Sequence, residues 1–442
     1  MLAFIFPGQG SQVAAMGKAL ADRYPIARQT FEEADDVLGR ALSQTCFSGE
    51  DLDLTVNAQP ALLTTSVAAY RVLTTETGLH PTVMAGHSLG EISALTCAGS
   101  TEFASALSLV QQRAVLMQQA VPPAAGAMLA IMGLAQDAVA EICSTAAQTE
   151  IVEIANHNGS GQLVVSGHAD AVQRANALAT DRGAVTRKLA VSAPFHCQLM
   201  QSAATQLADR LADIEFLPPR VPIIECSSGT IVRTGSGIAE RIAAQVSAPV
   251  RWDKVMNGLA ALKIDTTIEV GAGKSLSSLL RRERSVAHTM VCANPDDVSS
   301  LGELAERWPI LQRPLGYWQI DDHGHSVNGE DLLVMWAGAD TAEKVDNTRW
   351  AAGRGGAWMR RYGTMARISA QGTLQVFDSE HWLPREDGAY VRRDGSCIIK
   401  PDAEIEEFAA QEWLVSTAGT MSKTDGTRII WADGQEWNFD GR

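Results

Sequence analysis

The stretch with the clearest chemical potential is residues 86–90, Gly-His-Ser-Leu-Gly, which follow a short apolar run and precede a helix-forming run. The Gly-x-Ser-x-Gly spacing is typical of a nucleophile elbow, in which a strand turns sharply into a helix and presents a serine hydroxyl. The flanking glycines allow neighbouring backbone to come close, and the N–H groups that begin the next helix point at the place where an oxyanion would develop. The spacing therefore predicts an acyl-enzyme on Ser88. The alternative is a turn of small residues in an α/β domain.

A serine nucleophile requires a base, and His196 is the strongest candidate among the nine histidines. It follows Pro194 and Phe195 in a short loop. Its distance along the chain from Ser88 is no obstacle, because such pairs assemble in space. We expect His87, inside the elbow, to pack beside the nucleophile rather than to act on it.

The remaining histidines indicate no second site. His157 and His168 fall in a predicted subdomain as surface or turn residues. The pair His323 and His325 could bind a metal, but no third ligand is evident and a turn is favoured. The sequence therefore predicts no metal site.

The elements that must position these residues follow an α/β order, with apolar residues at strand and helix periods. The predicted strands of the large domain lie at 2–6, 83–85, 221–225 and 267–270. Its predicted helices lie at 16–38, 62–74, 102–120, 199–214, 238–245 and 252–262. Pro25 interrupts the first of these helices, and Pro60 lies near the first turn of the second. Residues 127–189 read as strand, helix, strand, strand, helix, strand, which is the ferredoxin-like order. We predict a large α/β-hydrolase-like domain with a parallel sheet and a small ferredoxin-like subdomain inserted in it.

Composition changes near Trp308, because nine of the ten tryptophans lie from that residue onward. Short alternating runs end in Asp-Gly turns at 389–395 and 428–434, and each indicates a hairpin. The Asp-Gly spacing is too loose to indicate a repeat family. The predicted organisation is a large subdomain at 1–124 and 194–305, a small subdomain at 125–193, and a separate β-rich domain at 306–442.

The net charge and the cysteine content of the chain argue against several classes of function. A formal net charge of -15 argues against nucleic acid or an anionic membrane as partner, and it would repel an acidic protein unless a local basic patch receives it. The seven scattered cysteines favour a reduced, cytoplasmic setting without disulfides. No targeting segment or membrane span is predicted.

Two glycine-rich turns fail as nucleotide sites. The turn at 7–12 is followed by Val13, at the position where a dinucleotide fingerprint requires its third glycine. The turn at 271–275 comes after Ile268, at the position where a Walker A motif requires its first glycine. We therefore expect no permanently bound cofactor.

Several motifs resemble a known family. They are Phe6-Pro-Gly-Gln-Gly-Ser-Gln12, Gln59-Pro-Ala61, Gly86-His-Ser-Leu-Gly-Glu91, Gln112-Arg113, Pro194-Phe-His196 and Glu269-Val-Gly271. In this order and spacing they resemble malonyl-CoA:acyl-carrier-protein transacylases and the acyltransferase domains of polyketide synthases. The resemblance covers about residues 1 to 300, and no family is evident for the remainder.

The resemblance implies specific roles. Ser88 would be the nucleophile and His196 the general acid and base. The backbone N–H groups of Gln9 and Leu89 would form the oxyanion hole. Arg113 would grip the free carboxylate of the malonyl group, which suits its planar, bidentate guanidinium.

Further roles follow from the same resemblance. Gln59 and Met117 would line the acyl pocket, and Phe195 before the histidine resembles the malonyl-selective pattern. A backbone carbonyl, expected from Arg251, would orient His196 in place of a triad acid. Malonyl-CoA would be the substrate, and a separate acyl carrier protein would bring the phosphopantetheine.

Other functions remain open from the sequence. A serine esterase or thioesterase shares the elbow, but Arg113 argues against an apolar acyl pocket. A non-catalytic scaffold is disfavoured because serine, histidine and arginine occur together. The acceptor could be a fatty-acid carrier, a polyketide carrier or the carrier subunit of a malonate decarboxylase.

Overall fold

The computed structural model describes residues 1–122, 124–159, 161–191, 193–212, 214–307, 318–320, 326–328, 333–335, 343–345, 349–352, 357–360, 365–369, 374–400, 405–409 and 411–438. The chain divides into two compact units, Met1–Leu315 and Gly316–Arg442. The division lies beyond the predicted boundary at 305/306, so the helix Pro295–Arg307 stays with the first unit. His323 and His325 lie outside the described residues.

The first unit is α/β, as predicted. Its described strands are β1 Leu2–Phe6, β2 Val83–Gly86, β3 Gly126–Met132, β4 Val152–His157, β5 Gln162–His168, β6 Val185–Lys188, β7 Ile223–Ile224, β8 Ile231–Val232, β9 Thr266–Val270 and β10 His288–Cys292. Its described helices are α1 Lys18–Arg23, α2 Pro25–Leu38, α3 Leu42–Ser48, α4 Thr55–Thr77, α5 Leu89–Cys97, α6 Phe103–Gln119, α7 Gln136–Ala147, α8 Ala169–Asp181, α9 Gln201–Leu211, α10 Ile238–Gln245, α11 Trp252–Ala261, α12 Ser275–Glu283 and α13 Pro295–Arg307. None of these helices is long and apolar enough to cross a membrane.

The large sheet has the strand order β10-β9-β1-β2-β7-β8. Strands β10 to β7 in that order are parallel, and β8 pairs antiparallel with β7. Every residue of β1 and β9 is buried, as expected for central strands of a sheet with helices on both faces. The carboxyl ends of β1 and β2 lie side by side, and the turn after each enters the candidate site.

The small subdomain has the predicted ferredoxin-like order. Its sheet runs β4-β5-β3-β6 with antiparallel pairing, and α7 and α8 cover one face. Residues on the other face, among them Met128, Ala130 and Val164, belong to the core of the large subdomain. The two subdomains therefore share one apolar core.

The prediction for the second long helix was wrong at its start. We predicted it from residue 62 with Pro60 near the first turn, but α4 begins at Thr55 and contains Pro60. Proline has no N–H to donate, so the Val56 carbonyl four residues earlier loses its usual partner. The guanidinium of Arg40 donates to that oxygen at 3.2 Å, and the helix continues past the proline. The sequence pattern also did not predict α3, α13, β8 and β10.

The turn from β2 into α5 has strained backbone at its centre. Ser88 has φ 53° and ψ -111°, in a region that L-residues rarely adopt. A Cβ atom on Gly86 would lie 1.9 Å from the carbonyl carbon of Gly90, and one on Gly90 would lie 2.0 Å from the Phe6 oxygen. Both glycines are therefore required for the backbone approach that raises Ser88.

The second unit is a tandem array of four antiparallel sheets, each with four strands in the described residues. The first sheet contains β11 Trp318–Ile320, β12 Ser326–Asn328, β13 Leu333–Met335 and β14 Glu343–Lys344; the second contains β15 Trp350–Ala352, β16 Trp358–Arg360, β17 Ala366–Ile368 and β18 Leu374–Val376. The third contains β19 Trp382–Pro384, β20 Tyr390–Arg392, β21 Cys397–Ile399 and β22 Ile405–Glu407; the fourth contains β23 Trp413–Val415, β24 Met421–Lys423, β25 Arg428–Ile430 and β26 Glu436–Asn438.

This unit confirms the two predicted hairpins and contains a repeat that the Asp-Gly spacing alone did not indicate. β20 pairs with β21, and β25 pairs with β26. Each sheet begins at a tryptophan, at positions 318, 350, 382 and 413, which is a repeat of roughly 32 residues. The tryptophan spacing carried the signal, whereas the Asp-Gly turns considered by themselves did not indicate it.

We predict that Gly90→Ala destabilises the first unit, because the added methyl group would meet the carbonyl oxygens of Phe6 and Pro7 at 2.0 and 2.9 Å. Strain of this kind lowers the free energy of unfolding by at least about 2 kcal/mol. The matched control is Gly302→Ala in α13, where the nearest atom is 3.9 Å away and alanine should stabilise by roughly 0.5–1 kcal/mol. Equal effects in urea titrations of the two variants would contradict the packing described for the elbow.

Candidate active site

Ser88 and His196 form a buried hydrogen-bonded pair. Ser88 Oγ lies 2.7 Å from His196 Nε2, although 108 positions separate the two residues. The elbow positions the serine, and the loop between β6 and α9 positions the histidine. His196, like Ser88, has a positive φ, here 59°. The pair therefore has the geometry of a nucleophile and its base.

Two backbone carbonyls orient the imidazole, but neither belongs to the predicted residue. His196 Nδ1 lies 2.9 Å from the Gln245 oxygen and 3.1 Å from the Ala248 oxygen. Facing two acceptors, Nδ1 is assigned the proton, which leaves Nε2 free to accept from Ser88. The prediction that a carbonyl replaces a triad acid agrees with this geometry.

The assignment of that carbonyl to Arg251 was wrong. Arg251 is the N-cap of α11, and its carbonyl accepts from the N–H of Lys254 as the helix begins. Its side chain pairs with Asp253 at 2.7 Å. α10 ends at Gln245, so the Gln245 carbonyl has no partner within the helix, and it faces the histidine together with the carbonyl of Ala248, three positions before Arg251.

Arg113 lies beside the serine with its guanidinium buried. From α6, Nη2 donates to Ser88 Oγ at 3.2 Å and to Gln245 Oε1 at 3.0 Å, and Nη1 donates to Gln59 Oε1 at 2.7 Å. The residue is 1% exposed, and its Nε has no partner within the described residues. Burial lowers the pKa of Arg113 to about 10, so the group stays positively charged at neutral pH. It is a cation held by neutral amide oxygens.

The predicted pocket residues Gln59 and Met117, together with the side chain of the predicted oxyanion donor Gln9, form a connected layer beside Arg113. Gln59 Nε2 lies 3.6 Å from Met117 Sδ and 3.4 Å from Gln9 Oε1. Gln9 Nε2 in turn donates to Thr55 Oγ1 at 3.0 Å. Gln59 and Met117 are each 1% exposed, so any group bound here would be largely dehydrated.

The predicted oxyanion donors have free N–H groups. Leu89 is the first residue of α5, where backbone N–H groups have no partner within the helix. Gln9 lies in the turn after β1, whose carboxyl end is adjacent to β2. Within the described residues, neither N–H donates a hydrogen bond. Their role in binding an oxyanion remains a prediction.

Gln245 is the residue that the sequence analysis missed. Its backbone oxygen accepts from His196, its Oε1 accepts from Arg113, and its Nε2 donates to Glu91 Oε2 at 3.0 Å. It is 1% exposed, and burial raises the pKa of the Glu91 carboxyl beyond it. An isolated glutamine at a helix end carries no motif, and only its burial among charged groups could have identified it.

Phe195 and His87 are adjacent to the site residues but do not join the hydrogen-bond network around Ser88. Phe195 is 5% exposed and belongs to the large apolar core. His87 Nε2 lies 3.1 Å from Asn158 Oδ1, and its ring packs against Trp252. His87 therefore contacts Asn158 and Trp252 rather than the Ser88–His196 pair, and the expectation that it does not act on the nucleophile remains a prediction.

The electrostatic environment keeps His196 neutral. Burial, then the nearby Arg113 cation, lowers the pKa of His196 to about 3, while the hydrogen bonds to the Gln245 and Ala248 carbonyls oppose the shift. A neutral imidazole is the form that can accept a proton from Ser88. The residue is thus in its basic form at neutral pH.

A cleft of about 630 Å³ leads to the site between the two subdomains. Gln9 and His87 line it from the large subdomain, and Asn156 and Asn158 line it from the small one. Its exposed basic side chains are Arg187, Lys188, Lys274 and Arg282. No group of three potential metal ligands occurs among the residues that the structure describes.

Comparison with known proteins identifies relatives of the first unit. A family model described as the acyl transferase domain matches residues 3–293. The chain is 42% identical over 307 residues to the malonyl CoA-acyl carrier protein transacylase of Escherichia coli K12, which covers 69% of this chain and 98% of that protein.

Solved structures are similar over the same region. An acyl carrier protein S-malonyltransferase from Vibrio cholerae matches with a TM-score of 0.65 and 42% identity, covering 68% of this chain and 99% of that one. A malonyl-transacylase solved in complex with a type II polyketide synthase acyl-carrier protein matches with a TM-score of 0.67 and 38% identity, covering 69% and 99%. The family match ends before the second unit begins.

We predict that Ser88 keeps its reactivity at acidic pH. A base acts in its deprotonated form, and a His196 pKa of about 3 leaves it deprotonated well below the usual histidine range. The rate constant for labelling Ser88 with a fluorophosphonate should change by no more than about twofold between pH 8 and pH 5. Circular dichroism at each pH controls for unfolding, and a midpoint near 6.5 would contradict the assigned environment.

We predict that Gln245→Leu destabilises the first unit by about 1–3 kcal/mol, because it removes the buried hydrogen bonds of the Gln245 amide to Arg113 Nη2 and to Glu91 Oε2. The backbone carbonyl that orients His196 is kept in this variant. Gln206→Leu on the exposed face of α9 is the matched control and should change the free energy of unfolding by less than about 0.5 kcal/mol. Denaturant titrations measure both, and equal values would show that the Gln245 amide contacts contribute little.

Proposed function

Because this chain belongs to the acyl transferase domain family, we propose that it transfers a malonyl group from malonyl-CoA to the phosphopantetheine thiol of an acyl carrier protein through an acyl-enzyme on Ser88. The enzyme is an acyltransferase of the malonyl-CoA:acyl-carrier-protein transacylase type. The proposal concerns the residues that perform the reaction and the way they select the acyl group.

The observation that carries the proposal is the position of Arg113 Nη2, 3.2 Å from Ser88 Oγ. A carboxylate bound by this guanidinium lies beside the nucleophile. The thioester carbonyl of a malonyl group is one methylene away from its carboxylate, so the same contact aligns that carbonyl with Ser88 Oγ. Charge-assisted hydrogen bonds to a buried guanidinium are strong enough to fix this orientation.

In the first half-reaction, Ser88 Oγ attacks the thioester carbonyl carbon, and His196 Nε2 takes the hydroxyl proton. The N–H groups of Gln9 and Leu89 stabilise the negative oxygen of the tetrahedral intermediate. The bond from carbon to sulfur then breaks, and the CoA sulfur leaves with the proton from His196. The malonyl ester of Ser88 remains.

The second half-reaction reverses these roles. The phosphopantetheine thiol of the carrier gives its proton to His196 Nε2 and attacks the ester carbonyl of the acyl-enzyme. Collapse of the second tetrahedral intermediate returns the proton to Ser88 Oγ and releases the malonyl-carrier thioester. No permanently bound cofactor or metal takes part in this proposal.

The cleft between the subdomains suits both thioester substrates. Pantetheine is a narrow chain with two amides, and the cleft offers Asn156, Asn158 and Gln9 as polar partners. The basic side chains that line it, Arg187 and Lys274 among them, suit the phosphates at the far end of CoA or of the carrier-bound pantetheine. These cations also give an acidic carrier a local positive surface on a protein with a net charge of -15.

The selectivity for malonyl groups would rest on Arg113 together with the apolar walls of the pocket. Met117, in contact with Gln59, and Phe195, next to His196 in the sequence, would restrict the space around the methylene. A larger or uncharged acyl group would leave the buried guanidinium without its anion.

We predict that Arg113→Ala lowers kcat/KM for malonyl transfer at least about 100-fold, because a charge-assisted contact of roughly 3 kcal/mol is lost. Acetyl transfer should fall far less, so the ratio of malonyl to acetyl transfer drops. Radiolabelled acyl-CoA and a purified carrier protein measure both reactions. Arg210→Ala, which removes an exposed arginine on α9, is the matched control and should leave both rates unchanged.

The same assay tests the class of reaction. Release of free malonate without acylation of any carrier protein would identify a thioester hydrolase and overturn the transfer proposal. An equal loss of malonyl and acetyl transfer in Arg113→Ala would refute the carboxylate role of Arg113 and leave the transfer reaction standing.

A further inference from the structure

The strands of each sheet in the second unit pair in register, so their central residues form one line across the sheet, which we call the middle row. On the fourth strand this row ends at Glu343 in the first sheet, Gln375 in the second and Glu406 in the third. The middle row of one sheet faces the next sheet, since Ile398 of the third sheet clusters with Trp413 of the fourth. We call each such contact between consecutive sheets a junction.

At the first junction, the middle-row acid neutralises a cation of the next sheet. Glu343 accepts two hydrogen bonds from Arg360, at 3.2 and 2.8 Å, and one from the indole N–H of Trp350 at 3.0 Å. Trp350 begins the second sheet, and Arg360 is its cross-strand partner. Both side chains of the ion pair are only 11% exposed. The carboxylate is therefore an internal part of this junction.

The third junction has the same three components. Glu406 accepts a hydrogen bond from Arg428 of the fourth sheet at 3.0 Å. Arg428 in turn lies over the ring of Trp413, which begins that sheet, with the guanidinium carbon 5.6 Å from the ring centroid. A middle-row acid, a cation and the first tryptophan of the next sheet thus occur together at both of these junctions.

The second junction lacks the acid. Its fourth-strand position is Gln375, whose amide carries no charge. The third sheet nevertheless supplies the cation, because Arg392 is the cross-strand partner of Trp382, the tryptophan that begins that sheet. The described ion pair of Arg392 is with Asp394 in the following turn, at 3.6 Å between exposed side chains. An exposed pair of this kind is weak, so Arg392 has much of its charge to offer.

A second cation adds to the charge imbalance at this junction. Arg367 is the cross-strand partner of Gln375 in the middle row. At the equivalent position the first and third sheets have the buried residues Val334 and Ile398. The Nε of Arg367 is buried and has no hydrogen-bond partner in the part of the chain that the structure describes. A buried donor without an acceptor costs free energy, so this position favours an added acceptor.

A cleft of about 490 Å³ opens at the second junction, within the range of roughly 300–1,000 Å³ that is typical of small-molecule sites. Its charged and aromatic lining consists of Arg367, Arg392, Glu407, Phe377 and Trp382. The two arginines outnumber the single acid, which lies on the exposed end of β22. The rings of Phe377 and Trp382 are in contact, with their centroids 5.0 Å apart. The cleft therefore combines excess positive charge with an aromatic wall.

We propose that this cleft binds a carboxylate that carries an aromatic group. The carboxylate takes the place that Glu343 and Glu406 hold at the other two junctions, and it accepts hydrogen bonds from Arg367 and Arg392. Planar guanidinium groups suit a carboxylate because they can donate two parallel hydrogen bonds to it. The aromatic group of the ligand packs on Phe377 and Trp382.

Such a carboxylate occurs both in small molecules and at the C-terminus of a polypeptide, and two probes distinguish these sources. The first is 3-phenylpropionate, and the second is an N-acetylated tripeptide that ends in phenylalanine with a free carboxylate. Tighter binding of the tripeptide, by about tenfold or more, would identify a polypeptide end as the ligand. Equal or weaker binding of the tripeptide would identify a small aromatic acid.

The first measurement is a titration of the full chain with 3-phenylpropionate, followed by ligand-observed NMR. The expected Kd is about 4 mM or tighter, from roughly 0.3 kcal/mol for each non-hydrogen atom of the probe. The neutral analogue 3-phenylpropanamide has nearly the same shape and should bind at least about tenfold more weakly. No saturation up to about 20 mM, or equal binding of acid and amide, would overturn the proposal.

The decisive variant is Gln375→Glu, because it supplies from within the chain the acid that the other junctions have. The new carboxylate competes for the arginines, so the Kd for 3-phenylpropionate should rise at least about tenfold. The matched control is Gln435→Glu, which makes the same change of charge in the exposed turn between β25 and β26. It should leave the Kd within about twofold. An equal Kd in the two variants would overturn the proposal.

Folding and location are controlled separately. The thermal unfolding midpoint of the second unit should be no lower in Gln375→Glu than in Gln435→Glu, and a lower midpoint would contradict the charge imbalance at the second junction. Arg113→Ala removes the carboxylate site proposed for the first unit, and it should leave the Kd for 3-phenylpropionate unchanged. Loss of binding in Arg113→Ala would place the probe at the acyl site and overturn the proposal, whatever the outcome of the acyl transfer assays.

Discussion

The buried guanidinium of Arg113 is the group on which the site depends. A fully buried cation loses its hydration, and the loss must be offset by hydrogen bonds or by an opposite charge. Here the contacts go to the amide oxygens of Gln59 and Gln245 and to the Ser88 hydroxyl, and no carboxylate of the described residues contacts the guanidinium. The nearest acid, Glu91, is reached only through the Gln245 amide. Neutral acceptors hold the cation in place and leave its charge for an incoming anion.

This arrangement makes several distant elements depend on one another. Gln59 comes from α4, Arg113 from α6 and Gln245 from the end of α10. Gln59 reaches Arg113 only because α4 continues through Pro60. The hydrogen bond from Arg40 to the Val56 carbonyl permits this, since that carbonyl has lost its usual helical partner. Gln245, the last residue of α10, accepts a hydrogen bond from Arg113 with its side-chain amide oxygen and orients His196 with its backbone carbonyl. Strain at Ser88 and His196, both with positive φ, is maintained because these surroundings fix their positions.

The two units reach their cores by different routes. The first unit brings β1, β2 and β9 together from opposite ends of its sequence, so its core depends on long-range contacts and on helices that cover both faces of the sheet. The second unit builds its core from neighbours in sequence, because apolar residues of each sheet cluster with those of the next sheet. Such an array is nearly one-dimensional.

The sequence by itself determined the α/β class, the ferredoxin-like subdomain, the elbow and the candidates Ser88 and His196, because each of these follows from a local pattern of residue types or periods. Arg113 became a candidate only through the resemblance of the ordered motifs to a family. It also located the two hairpins of the second unit from their turns. Only the tertiary structure decided that α4 passes through Pro60, that Gln245 and Ala248 rather than Arg251 face His196, and that Gln245 joins Arg113 to Glu91. These depend on where a helix ends in space and on which polar groups are buried together, and neither has a signature in the order of residues.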